Sequence, residues 1–153
     1  MVGLAAETEA TVTLRLPPMP VHVRTARLVA AAMARRSGVA EGLLDEVRLA
    51  VGEACARAVR LHERHGMAEA VVVEFAEGDR FGVAVLDRAD VLASSAGGPD
   101  AAFFDGKSDE APWADPSGDA LGLALLGALV QDLIVDPDRK GGGTRVAMSW
   151  PVG

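Results

Sequence analysis

The feature that most constrains the fold is a stretch from residue 40 to residue 65 whose apolar side chains recur at helical spacing. The repeat follows the i, i+3/i+4, i+7 rule of a helix with one buried face. Its positions are Leu43, Val47, Ala50, Val51, Ala54, Ala58 and Leu61. Gly66 is a residue type that commonly ends a helix. The pattern predicts a long amphipathic helix.

Weaker patterns on both sides of this helix predict the rest of the fold. The predicted strands are residues 11–16, 70–76, 81–87, 133–136 and 144–150, and the predicted helices are 21–36, 40–65 and 120–132. In the first helix, Val21, Leu28, Val29, Ala32 and Met33 share the predicted apolar face. A short turn at residues 77–80 predicts a hairpin between two of the strands. This order predicts an α+β two-layer sandwich, a mixed or antiparallel sheet covered by three helices.

Residues 88–119 show no sustained period and are rich in Gly, Pro, Ser and Asp. An irregular stretch of this length is typical of a lid or a binding loop, and a solvated loop without fixed structure is an equal alternative. The chain has 153 residues, so we expect one domain over residues 1–153 with this segment as its lid loop.

Charge and composition exclude several classes of function. The formal net charge is −7, which disfavours binding to nucleic acid or to an anionic membrane. The single cysteine, Cys55, excludes an intramolecular disulfide and a multi-cysteine metal site, and its apolar surroundings predict a buried core residue. No apolar run is long enough for a membrane span and no leader pattern opens the chain, so we expect a cytoplasmic protein.

Four short motifs occur in a fixed order along the chain. They are the block DEVRLAVGEACARAV at residues 45–59, VLD at 85–87, LGLA at 121–124 and GTRV at 143–146. Together they resemble the boxes of the GHKL (Bergerat-fold) ATPases, and among these the RsbW/SpoIIAB-type anti-sigma factors, over about residues 11–150. The resemblance implies a protein that sequesters a sigma factor and phosphorylates a serine on a STAS-domain antagonist.

Two residues of the first box decide what the resemblance implies for catalysis. Glu53 matches the glutamate that acts as general base or positions water, and Arg57 stands where the family has an asparagine that binds Mg²⁺. A guanidinium group has no acceptor atom and is always charged, so it cannot ligate a hard cation. Glu53 and Arg57 are also spaced as an i, i+4 helical ion pair, worth roughly 0.2–0.5 kcal/mol on a surface.

The other boxes are partly retained and partly altered. The resemblance implies that Asp87 accepts a hydrogen bond from the adenine amino group, that Thr144 lies near adenine, and that Gly122 lies in the phosphate cradle. The retained nucleotide-binding positions are therefore Asp87, Gly122, Gly143 and Thr144, and the altered family positions are Arg57, Ala89, Val91 and Ala120. The alterations fall on the Mg²⁺ and phosphate side, so we expect inefficient phosphoryl transfer and no metal site.

The first predicted helix carries Arg24 and Arg27, and Arg27 matches a basic residue of the family's partner-binding surface. A solvated basic face is an equal alternative.

The leading hypothesis is a regulator without resident cofactor that binds a sigma factor, a STAS-domain anti-anti-sigma protein, or both. We also expect a homodimer. The alternatives are an active serine protein kinase that uses ATP and Mg²⁺, and a sensor that holds ADP without catalysis.

Overall fold

The computed structural model describes residues 10–89, 119–138 and 140–153, without the side chains of residues 119–121. Short 3-10 turns at Pro20–His22 and Glu41–Leu43 precede the first two helices. The elements are β1 (Ala10–Leu16), α1 (Val23–Ser37), α2 (Leu44–Arg64), β2 (Val71–Glu77), β3 (Arg80–Leu86), α3 (Asp119–Leu129), β4 (Asp132–Asp138) and β5 (Gly143–Pro151). Val91 and most of the predicted lid loop lie outside these ranges.

The five strands form one sheet in the order β1-β2-β3-β5-β4. Every neighbouring pair is antiparallel, and β2 and β3 form the predicted hairpin. The three helices supply the second layer, with α2 in contact with both α1 and α3 and with the central strands. The predicted α+β class is confirmed, and the sheet is antiparallel throughout.

Two element boundaries differ from the sequence-based prediction near the C-terminus. Helix α3 ends at Leu129 rather than at residue 132, because Asp132 already pairs with Ser149 of β5. Strand β4 then continues through Pro137, which the prediction placed in a turn. Proline is tolerated there because β4 is an edge strand and needs no donor on its open side.

The core lies between α2 and the inner face of the sheet. Val47, Val51 and Ala54 of α2 are fully buried. They form one core cluster with Phe75, Phe81 and Trp150 of the sheet, whose rings follow one another at centroid distances of 6.4 and 6.2 Å. Cys55 is buried in the same cluster, as predicted, and burial raises the pKa of its thiol to about 12.

Helix α1 buries only part of the predicted apolar face. Its buried residues are Ala26, Ala30, Ala31 and Ala34, whereas Val21 before the helix and Leu28 within it are 68% and 59% exposed. Val29 and Met33 of the predicted face are half-buried against the core, and the alanines let α1 pack closely on α2. Within the described ranges, no helix is long and apolar enough to cross a membrane.

Candidate functional site

Four polar residues are buried where α2 meets the ends of β3 and β5. They are Arg57, His62, Asp87 and Thr144, and none is more than 2% exposed. Buried polar groups need internal partners, because an unpaired one costs the desolvation it suffers on folding. This junction is therefore the most constrained polar site in the described part of the chain.

The centre of the junction is an ion pair between Arg57 and Asp87. Arg57 Nη1 donates a hydrogen bond of 3.1 Å to Asp87 Oδ2, and both side chains are almost completely buried. The surface ion pair expected between Arg57 and Glu53 is not what the structure shows. Arg57 lies on the buried side of α2, between Ala54 and Ala58, and a cation placed there pairs with the buried carboxylate that faces it.

The second oxygen of Asp87 binds the backbone. Asp87 Oδ1 accepts the N–H of Ala89 at 3.0 Å and the N–H of Thr144 at 3.3 Å. The N–H of Asp87 in turn donates to the carbonyl of Thr144 at 3.1 Å. Burial raises the pKa of the Asp87 carboxyl above its ordinary value of 3.8, against the lowering effects of Arg57 and the two N–H donors.

Glycine at position 143 permits this close approach of β3 and β5. A Cβ atom added to Gly143 would lie 1.8 Å from the carbonyl oxygen of Asp87 and 2.8 Å from the Cα of Arg88. No side chain fits in such a gap. Packing alone therefore explains why position 143 is a glycine, whether or not a ligand binds nearby.

His62 completes the junction, and the sequence analysis did not single it out. Its Nδ1 lies 3.0 Å from the carbonyl of Glu69, and its Nε2 accepts the N–H of Arg88 at 2.9 Å. Because a carbonyl only accepts and an N–H only donates, the two partners select the neutral ring with its proton on Nδ1. The sequence spacing does indicate that His62 is buried, because it lies four residues after Ala58 and eight after Ala54, on the same row of the helix.

The remaining predicted site residues lie apart from this junction. Glu53 is half-buried on α2 and makes no hydrogen bond to another described residue. Gly122 is buried near the start of α3, where an added Cβ would be 3.4 Å from Arg60 Nη2. Ala120 lies in the same helix, but its side chain is not described. The structure thus brings Asp87, Gly143 and Thr144 together with the altered positions Arg57 and Ala89.

A magnesium-bound triphosphate does not fit the residues at this junction. The metal needs oxygen ligands, and position 57 presents a guanidinium group instead. In the described residues, no cluster of three or more His, Cys, Asp or Glu side chains is placed to hold a metal ion. On the side that the resemblance assigns to adenine, the buried hydroxyl of Thr144 has no hydrogen-bond partner among the described residues, and the carboxylate of Asp87 already accepts three hydrogen bonds from the protein.

The surface around α1 contrasts with this closed junction. Arg24 and Arg27 are both exposed, and the stem of Arg27 lies across Gly52 of α2, where an added Cβ would come within 2.9 Å of Arg27 Cδ. Leu28 and Leu49 of the same two helices are 59% and 44% exposed. Exposed apolar side chains beside arginines are typical of protein-binding surfaces.

Comparison with known proteins gives a consistent result. Residues 16–150 match the family model for the histidine kinase-like ATPase domain. No curated protein sequence matches. A crystal structure of the RsbU and RsbW domains of Rv1364c from Mycobacterium tuberculosis is similar in fold, with a TM-score of 0.58 and 18% identity over 94% of this chain. The match spans 34% of that structure. This chain therefore belongs to the histidine kinase-like ATPase (GHKL) domain family, as the sequence motifs predict.

Proposed function

We propose that this chain is a regulator of the anti-sigma type that binds a sigma factor, a STAS-domain anti-anti-sigma protein, or both, without efficient ATP turnover. The observation that carries the proposal is the buried guanidinium of Arg57. The resemblance implies an asparagine that binds Mg²⁺ at this position. Phosphoryl transfer depends on a metal ion that neutralises charge and orients the phosphates. A permanent cation at the metal position removes that contribution.

The proposed partner surface is the exposed part of α1 and α2 around Arg24, Arg27, Leu28 and Leu49. Its arginines suit carboxylates on a partner, since a guanidinium fork can bind a carboxylate through two hydrogen bonds. The leucines supply apolar contact area. We place this activity in the cytoplasm, in a single domain over residues 1–153, with residues 88–119 as a lid loop.

We also propose a homodimer formed through the outer face of the sheet. The residues of this face on the central strands include the small Ala76, Gly82, Ala84 and Ala147 and the charged Glu74 and Arg145, and the neighbouring Ile134 on β4 is 59% exposed. The small side chains allow the close approach of a second sheet. Light scattering at several protein concentrations tests the dimer separately from partner binding.

The proposed function is tested by capture of purified sigma factors and STAS-domain proteins on the immobilised chain. We expect at least one partner to bind and to be lost on Arg27→Ala or Leu28→Asp. Arg15→Ala is the matched control, because Arg15 is an exposed arginine on β1, away from α1. Failure of every such partner to bind, under conditions where the chain is folded, would count against the proposal.

An active serine protein kinase is the second candidate, and one observation favours it. The carboxylate of Glu53 is not held by Arg57, so the general-base position remains available. Transfer of labelled phosphate from ATP to a STAS-domain protein, abolished by Glu53→Gln, would establish this activity. We expect no transfer above the level seen with Glu53→Gln.

A further inference from the structure

One row of side chains crosses the outer face of the sheet, with one residue from each strand. In the order β1, β2, β3, β5, β4, the register of the strands places them as Thr13, Glu74, Ala84, Ala147 and Ile134. Leu86 of β3 and Arg145 of β5 belong to the neighbouring row on the same face. Strand β3 is therefore the middle of the face, with Glu74 on one side of it and Arg145 on the other.

Glu74 and Arg145 are opposite charges that the chain itself leaves unpaired. Glu74 is half-buried and Arg145 is exposed, and neither side chain has a hydrogen bond or an ion pair with a described residue. Asp136 lies beside Arg145 on β4, but no ion pair joins the two. Both charges line an open depression of about 560 Å³, together with Leu86 and Asp136. This space can take side chains from a second molecule that carries the same two charges in reverse positions.

Two symmetric arrangements bring this face against the same face of a second copy, and charge separates them. Sheets packed face to face lie about 10 Å apart, with their strands within about 30° of each other. With a two-fold axis across the strands, each strand faces its own counterpart, and Glu74 meets Glu74. With the axis along β3, β2 of one copy faces β5 of the other, and Glu74 meets Ala147 and Arg145. Opposite charges stabilise a contact and like charges oppose it, so the second arrangement is favoured.

The rest of the face also fits an axis along β3. Gly82 and Ala84 lie on the axis, so small residues meet where the two sheets come closest. Thr13 at one edge faces Ile134 at the other, which covers an apolar side chain that is 59% exposed in the chain alone. Five strands of this length form a face of about 24 by 23 Å, so two copies cover about 1,100 Å² in total. A specific interface needs about 1,000 Å², and we therefore expect a dimer that dissociates measurably on dilution.

We propose that two copies of the chain form a dimer with its two-fold axis along β3, in which Glu74 of each copy pairs with Arg145 of the other. This inference rests on the proposed homodimer and specifies its geometry. Because a two-fold axis makes each contact twice, one dimer contains two such pairs. Helix α1 lies in the layer on the opposite side of the sheet, so the dimer leaves the proposed partner surface of both copies open.

Charge reversal tests the pairing, with the dimer Kd measured by sedimentation equilibrium. Glu74→Arg and Arg145→Glu each turn both pairs into like charges, so we expect the Kd to rise at least about tenfold in either variant. The double variant restores two opposite-charge pairs, and its Kd should return to within about threefold of wild type. Glu63→Arg and Arg60→Glu are the matched controls, since both residues are exposed on α2 in the other layer. Neither control should change the Kd.

Cross-linking tests the axis independently and needs no change of charge. Thr13→Cys/Ile134→Cys places two thiols at opposite edges of one sheet, roughly 19 Å apart, and in the dimer each faces the other across the interface. A bismaleimide that spans about 10 Å, the separation of packed sheets, should therefore link two chains but not two sites of one chain. Thr13→Cys alone should give no covalent dimer. Cys55 does not compete, because it is buried and burial raises the pKa of its thiol to about 12.

A dimer whose Kd ignores both reversals, or does not recover in the double variant, would overturn the inference and leave the proposed homodimer standing. A covalent dimer from Thr13→Cys alone, or none from the double-cysteine variant, would also overturn it. If the reversed variants do not fold, the cross-linking result decides. A chain that stays monomeric at every concentration would overturn the inference and the proposed homodimer together, whereas capture of a sigma or STAS partner is measured separately.

Discussion

The junction around Asp87 and the surface of α1 differ in nearly every physical property. The junction is buried, and internal hydrogen bonds hold Arg57, His62 and Asp87 in it. The α1 surface exposes two arginines and Leu28 to solvent. The resemblance assigns the first region to the nucleotide site and the second to partner binding. The proposed function uses this difference: it needs an open surface for a partner and does not need a working nucleotide site.

The largest effect is expected from Asp87→Ala, which removes the acceptor of three hydrogen bonds, among them the one that the buried guanidinium of Arg57 donates. We expect a loss of about 3–5 kcal/mol in the free energy of unfolding, measured with urea. Asp87→Asn keeps one acceptor oxygen and should lose clearly less. Equal losses in the two variants would contradict the account, because they would show that the hydrogen bonds of this side chain do not matter.

Gly143→Ala should have the next largest effect, since the new methyl group overlaps the carbonyl of Asp87. We expect a destabilisation of about 1–3 kcal/mol, the usual cost of overpacking. Gly122→Ala is the control, because its new methyl group meets only the end of the Arg60 side chain. That variant should be neutral or more stable by up to about 1 kcal/mol, since alanine favours a helix. The reverse order of the two thermal midpoints would contradict the packing argument.

A charge placed on the α1 surface should weaken partner binding without unfolding the chain. For Leu28→Asp we expect about a tenfold loss of affinity for the captured partner, near 1.4 kcal/mol, because an apolar contact becomes a buried charge. Its free energy of unfolding should change by no more than about 0.5 kcal/mol. Surface plasmon resonance and urea titration measure the two quantities. Unchanged affinity would remove α1 as the partner surface.

The smallest effect is the pH dependence that Asp87 contributes. Its pKa is raised in the folded chain, so the folded state holds the proton more tightly than the unfolded state does. The stability from this group is therefore fully present below the unfolded pKa and is lost as the pH rises through the raised value. Relative to Asp87→Asn, wild type should lose stability as the pH rises above 3.8, the ordinary pKa of this carboxyl. If wild type instead becomes more stable relative to Asp87→Asn as the pH rises, Arg57 lowers the pKa of Asp87 by more than burial raises it.

The sequence predicts the fold well because its signals are local. The apolar row on α2, the hairpin turn and the strand patterns each fix an element without reference to the others. The predicted face of α1 was wrong at Leu28, because this residue fits an apolar helical row as well as the alanines do. Only the packing of α1 against α2 selects the small residues for the inside.

The sequence identified the residues of the candidate site but not the contacts between them. The motifs identified Arg57, Asp87 and Thr144, and the spacing on α2 suggested Glu53 as the partner of Arg57. The actual partner lies thirty residues away in sequence. An i, i+4 rule describes a solvated helix surface, whereas a buried cation takes whichever carboxylate the fold places opposite it. The tertiary contact overrides the local one.

The most direct test of the central claim is a crystal structure of the chain grown with Mg²⁺ and a non-hydrolysable ATP analogue. We expect the guanidinium of Arg57 within hydrogen-bond distance of the Asp87 carboxylate, and no triphosphate beside it. A metal-bound triphosphate next to residue 57, with Asp87 turned to the base, would contradict the account and would identify a chain that uses its nucleotide.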